Sequence, residues 1–135
     1  MYAPTELHRP LTWPKLALRW MPTFVGFPFG GEAAKLIVGA VDSPSAALAG
    51  GAISGAILGL AQWLGMRHTG PSAARWIVAT AAGFAGGLAA GAAAVGYRTD
   101  MGSLATQGAI CGAVVGVAQA TVLAGKLGRL ALAWP

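Results

Sequence analysis

The sequence predicts an all-α integral membrane protein, with four transmembrane helices laid out as two tandem hairpins and packed through rows of glycine. Three observations carry this expectation. The 135 residues are 56% hydrophobic, only 10% are charged, and 21 are glycine. An ordinary soluble surface uses about 25% charged residues. The chain also holds three long uncharged runs, Ser45 to Met66, Ile77 to Tyr97 and Met101 to Gly125, of 22, 21 and 25 residues. A hydrocarbon core about 30 Å thick needs roughly 20 apolar helical residues. Finally, one segment recurs. GAISGAILGLAQ, Gly51 to Gln62, matches GAICGAVVGVAQ, Gly108 to Gln119, with eight of twelve positions identical at an offset of 57.

Taken in order, residues 1–20 are expected to form a basic cytoplasmic segment. They contain Pro4, Pro10 and Pro14 and lack the continuous apolar run of an export signal. A first hairpin is expected over 21–66, a cytoplasmic loop over 67–75, a second hairpin over 76–125, and a cytoplasmic tail over 126–135. Span one, from about Met21 to Val41, is the difficult element. It contains FPFGGEAAK, Phe27 to Lys35, which reads either as a loop or as a helix carrying two charges. The first and third spans also match, at an offset of 56: Arg19-Trp20 recurs as Arg75-Trp76, and Gly30-Gly31 as Gly86-Gly87. This repeat favours a crossing helix for span one. Pro44 and Pro71 suit helix starts. Two hairpins in the same orientation imply a parallel repeat about an axis along the membrane normal.

Lys and Arg concentrate on the cytoplasmic side of such proteins. Arg9, Lys15, Arg19, Arg67, Arg75, Lys126 and Arg129, seven of the nine bases, fall on one predicted side. Both termini are therefore expected in the cytoplasm, with the chain in the cytoplasmic membrane. The five tryptophans, Trp13, Trp20, Trp63, Trp76 and Trp134, lie towards the same side. Trp20, Trp63 and Trp76 are the expected interface anchors, since indole favours the headgroup layer.

Glycines recur every fourth residue as Gly51, Gly55 and Gly59, as Gly83, Gly87 and Gly91, and as Gly108, Gly112 and Gly116. Span one carries Gly26, Gly30 and Ala34 at the same interval. Residues four apart share a helix face, and small side chains let backbones approach closely in lipid. These rows specify packing, either within the bundle or outward against copies of the chain or other subunits.

The candidate intramembrane polar residues are Glu32, Lys35, Gln62, Gln107 and Gln119. Glu32 falls near the predicted bilayer middle, where an ionisable group is a functional candidate by default. Lys35 lies one turn on. The two read as an internal salt bridge or an anchor for a neighbouring subunit, or else as part of a transport pathway. The glutamines read as interhelical hydrogen-bonding groups. Cys111, the single cysteine, aligns with Ser54 and reads as a small packing residue. No catalytic set, metal-ligand set or cofactor motif is present in the sequence, and His8 and His68 lie outside the spans. Nucleic-acid binding has no support beyond the net charge of +5.

The run GAILGLAQWL, Gly55 to Leu64, resembles a pattern of small bacterial four-span glycine-zipper membrane proteins, GxxxGxxxGxxQW. The second copy departs from it, with Ala120 in place of the tryptophan. The likeness covers roughly Ala47 to Leu123 and implies packing rather than an activity. The architecture is also loosely similar to the Tim17/22/23 family of protein-import subunits, which has four spans with GxxxG rows. The expected function is a non-enzymatic structural or accessory subunit of a larger membrane assembly. The alternative is a small ion, proton or solute channel or carrier using Glu32 and Lys35.

Overall fold

The structure, a computed structural model, describes residues 13–68 and 70–133. Among these it is entirely helical: α1 spans Trp13–Val38, α2 Pro44–Met66, α3 Ala73–Ala94 and α4 Met101–Leu127, and a short 3-10 helix covers Gly128–Ala133. His8, Arg9, Trp134 and the expected cytoplasmic ends lie outside the described residues. Three helices are long and apolar enough to cross a membrane: Pro44–Met66, Ala73–Ala94 and the continuous stretch Met101–Ala131. In such a setting the backbone must satisfy its own hydrogen bonds, which is why the spans are unbroken helices.

The stretch FPFGGEAAK is helical throughout, and α1 runs on through both Pro22 and Pro28. It also begins at Trp13, eight residues before the expected start of span one at Met21, so the latter part of the supposed N-terminal segment is helix. Four charged residues, Lys15, Arg19, Glu32 and Lys35, separate α1 in composition from the other three helices.

Local chemistry sets the helix ends. Ser43 caps α2: its Oγ accepts from the Ala46 N–H at 3.3 Å, and Pro44 fills the first helical position, where a missing N–H is harmless. Pro71 precedes α3 by two residues instead of opening it. At the other end of α3, Gly96 and Tyr97 both adopt positive φ, 61° and 59°, and the Tyr97 N–H donates back to the Ala92 carbonyl at 2.8 Å. Such left-handed closure satisfies carbonyls that the last turn leaves open. Asp100 caps α4, accepting from the Ser103 N–H at 3.0 Å and from the Ser103 hydroxyl at 2.6 Å.

The helices pack in chain order: α1 on α2, α2 on α3, α3 on α4, and the 3-10 helix back on α4. Glycines set the first three contacts. A Cβ added to Gly30 would come within 3.2 Å of the Ser54 Cα. One at Gly55 would meet the Ala81 Cα at 2.8 Å, and one at Gly87 the Cys111 Cα at 2.8 Å. Each successive contact is turned about the helix axis. On α2, Ser54, Leu58 and Ala61 face α1, whereas Gly51, Gly55 and Gly59 face α3. At about 100° per residue these two faces lie roughly a quarter turn apart. On α3, the Gly83, Gly87, Gly91 row towards α4 is likewise about a quarter turn from the centre of the Thr80, Ala81, Phe84 and Ala85 face towards α2. Because α2 and α3 run antiparallel, both corners turn the same way. The four helices trace a C, with α1 and α4 at its tips.

Two predictions follow from these contacts. Gly55→Ala should lower stability by about 1–3 kcal/mol, because its methyl group would press on α3 backbone. Gly112→Ala, with nothing within 4 Å of the new methyl, should cost nothing measurable. Thermal unfolding of the two variants in detergent distinguishes them. The second concerns Asp100, whose carboxylate the Ser103 hydroxyl and then the Ser103 backbone N–H hold below the usual carboxylate range. A depressed folded-state value means that the cap's contribution is present above the ordinary carboxylate range and is lost as pH falls through the folded value. Amide protection at Ser103 and Leu104, taken relative to intrinsic exchange at each pH, should therefore fall at acid pH, and Asp100→Asn should remove that pH dependence while keeping a cap.

Candidate functional site

Two features stand out: a polar node inside the C and an open cleft between its tips. The node joins three helices. Trp76 Nε1–H of α3 donates to Gln62 Oε1 of α2 at 3.2 Å, and Gln119 Nε2 of α4 donates to the same oxygen at 2.9 Å. Gln119 also donates to Thr80 Oγ1 at 3.0 Å, and Thr80 in turn donates to the Trp76 carbonyl at 2.8 Å. Trp76 and Thr80 are fully buried and Gln119 nearly so. A buried amide costs free energy unless it is bonded, and in an apolar medium such bonds hold helices together. The interhelical bonding expected of Gln62 and Gln119 is present, and the two residues bond to each other. Thr23, 57 residues before Thr80, has a buried hydroxyl with no partner among the described residues.

Trp76 therefore differs from the expected headgroup anchor. It stands in the first turn of α3, towards the basic end, but inside the protein, packed with Leu123 and Ala131 and flanked by Trp63, Met66 and Val122. The 3-10 helix covers it, a contact with no signal in the sequence, since LALAW reads only as the close of an apolar tail. Trp63 is half-buried and donates to the Pro71 carbonyl at 3.2 Å. Trp20 is also half-buried. The same end gathers basic side chains onto backbone oxygens: Arg19 donates to the Gly65 carbonyl and Lys126 to that of Gly70.

The cleft lies between α1 and α4. Phe27 of α1, Phe84 and Leu88 of α3, and Leu104, Gln107, Gly108, Cys111 and Gly112 of α4 enclose about 360 Å³. A smaller hollow of about 160 Å³ shares Phe27, Phe84 and Leu88 and adds Gly31, Ser54 and Leu58. A third, of about 200 Å³, shares Leu88, Gly31 and Ser54 and reaches Lys35 at the far end of α1. The lining is almost wholly apolar, with Gln107 the polar group on α4.

The expected packing rows separate here. Gly51, Gly55 and Gly59 are occupied by α3, and Gly83, Gly87 and Gly91 by α4. Gly116 is buried. Gly108 and Gly112, however, are exposed, with no atom within 4 Å of an added Cβ. On α4 the contact with α3 is made by Gln107, Cys111 and Val115, one helical position away from the glycines. Residue size points to the wrong face here, because the glycine row is the open one and the larger Gln107, Cys111 and Val115 make the contact.

Glu32 and Lys35 make no ion pair with each other or with another described residue, so the internal salt bridge is not formed. Glu32 lies on the side of α1 opposite Gly26, Gly30 and Ala34, which are the buried residues of that helix. Its height is fixed by packing. Gly30 lies against Ser54, next to the midpoint of α2, so Glu32 is about 3 Å further along. Among the described residues no group of three or more His, Cys, Asp or Glu comes together. The chain matches no protein-family model, no curated protein and no solved structure.

The node gives an asymmetric expectation. Gln62→Leu removes one oxygen shared by two donors, whereas Gln119→Leu removes donors from oxygens that keep other bonds. Leaving buried donors short of an acceptor costs about 1–3 kcal/mol, and losing a membrane hydrogen bond alone about 0.6 kcal/mol. Gln62→Leu should therefore destabilise more. Thermal unfolding followed by tryptophan fluorescence measures the difference.

Proposed function

We propose that this chain is a non-enzymatic structural subunit of a membrane assembly, and that the cleft between α1 and α4 receives an apolar transmembrane segment of a partner subunit. The observation that carries this reading is the different fate of two glycine pairs 57 residues apart. Gly51 and Gly55 are covered by α3, while Gly108 and Gly112 lie open on the cleft. Small residues on a membrane helix earn their place by letting another backbone approach. Here no described helix of the chain supplies the approaching backbone.

Several contacts support an internal parallel repeat with glycine-zipper packing. Gly26 meets Ala61 and Gly83 meets Ala118; Gly30 meets Ser54 and Gly87 meets Cys111. Every one of these pairs maps onto its mate at an offset of 57. For the packing contacts this register, rather than 56, relates α1 to α3. By the same register the α3 residues facing Gly51 and Gly55, namely Ala81, Phe84 and Ala85, map to Phe24, Phe27 and Pro28. One alanine, Ala81, thus becomes Phe24, too large for α1 to close on α4 as α3 closes on α2.

In this reading α1 also crosses the bilayer. Its 26 residues measure about 39 Å, and it lies along α2 with their middles level. The bases near Gly65 and Gly70 mark the cytoplasmic end. The carrier alternative would use Glu32, but that side chain lies away from the cleft, so a pathway through it would have to form between chains.

A photoreactive residue at position 112 should capture a second polypeptide in native membranes, and the same residue at position 114, on another face of α4, should not. Gentle extraction should recover the chain in a complex well above its own 13.5 kDa. A lone chain, with labelling of lipid only, would overturn the reading. Ion flux through purified protein in liposomes, abolished by Glu32→Gln, would replace it with the carrier.

A further inference from the structure

We infer that α1 is a self-association helix: two copies of the chain pair through its outward face, with Glu32 of each set against Lys35 of the other. This rests on the reading above in one respect, that α1 crosses the bilayer. α1 is an edge helix, packed on α2 alone. Its far side carries Leu18, Met21, Val25, Pro28, Glu32 and Lys35, all exposed. Their spacing is 3, 4, 3, 4, 3. That is the interval at which two helices wrapped around each other keep one continuous line of contact. The buried side of the same helix, Gly26, Gly30 and Ala34, follows the spacing of four used against α2. Two different periods on two faces point to two different neighbours.

Charge selects the neighbour. Among the described residues neither Glu32 nor Lys35 is paired, and Glu32 lies level with the middle of α2. An acid at that depth facing hydrocarbon is costly, and such residues normally find a partner of opposite charge. Each copy offers one acid and one base, three residues apart. All copies insert with the same orientation, so a two-fold axis along the membrane normal brings two α1 helices together in parallel. The a-type position Glu32 then sits beside the d-type position Lys35 of the other helix, and the symmetry makes the contact twice. The four charges form one neutral cluster. Above it Leu18, Met21 and Val25 supply apolar contact, and the Pro28 ring lies within the line, where its missing N–H affects no interhelical bond. Phe24 and Phe27 stay on the cleft side and Lys35 stands at the rim of the hollow beside Gly50 and Leu88, so pairing through this face leaves the larger space at Gly108 and Gly112 open.

Disulfide trapping in native membranes tests the inference. In a Cys111→Ser background, single cysteines at Leu18, Met21 and Val25 should cross-link to dimers on mild oxidation, and cysteines at Ala17 and Phe29 should do so at least about tenfold less. In the Val25→Cys chain, Glu32→Lys alone or Lys35→Glu alone should cut the dimer yield by about tenfold. Glu32→Lys combined with Lys35→Glu should restore it, which separates pairing from misfolding. Equal cross-linking around α1, or a yield indifferent to the single charge changes, overturns the inference. Failure to restore the yield in the double variant overturns it as well. Capture at position 112 reports on the cleft separately, so loss of the α1 dimer with capture intact would leave the proposed function standing, and the reverse result would remove only that reading.

Discussion

The structure depends on how close two helix backbones can come when no water is available to drive them together. In lipid, side chains gain little by leaving one apolar medium for another, so association rests on dense contact and on hydrogen bonds between helices. Gly30 against Ser54, Gly55 against Ala81 and Gly87 against Cys111 are the points where that approach is made. Each contact would be filled by one methyl group. Large side chains are correspondingly displaced to the outside, where Phe24, Phe29 and Leu36 stand exposed. The molecule is thus turned inside out relative to a soluble domain, with small residues within and bulk at the surface.

The polar node complements this packing. Glycine rows allow one helix to slide along another with little change in contact, since successive small residues look alike. Gln62, Thr80, Trp76 and Gln119 do not permit such sliding, because their bonds have direction and length. They lie towards the basic end, where α2, α3 and α4 converge and the 3-10 helix covers Trp76. The opposite end is held by capped turns rather than by buried polar groups. Register along the membrane normal is therefore fixed at one end, and the cleft opens further along, at Gln107 and Gly108.

Much of this was legible in the residues. Three apolar runs lacking any charge identify three helices, because helix is the form that satisfies a backbone in hydrocarbon. Ser43, Pro44 and Asp100 mark helix starts by chemistry that acts within a few residues. The match of Gln62 with Gln119 anticipated a bond that the fold makes. What escaped was everything that depends on direction around a helix. The spacing of Gly108 and Gly112 is the same as that of Gly51 and Gly55, yet one pair is open and the other covered. The difference lies on α1, in Phe24 at a place where α3 has alanine. Trp76 escaped for a related reason: tryptophan near a basic turn suits a headgroup layer, and only the return of the 3-10 helix makes it core. The start of α1 at Trp13 was hidden by its prolines, which discourage a helix but do not forbid one.

The chain-order packing bears on how the molecule is made. Each helix packs its backbone on the one synthesised just before it, and the long-range contacts include the side-chain bonds of the node and the cover over Trp76. A nascent chain can settle α2 on α1 as a finished pair, and then α3 on α2, as each leaves the ribosome. Gln119 and the turn at Gly128 emerge after the helices they engage, and they lock the node and roof Trp76. Synthesis therefore proceeds from loosely held hairpin to fixed bundle, with Gln119 and the 3-10 helix as its latch.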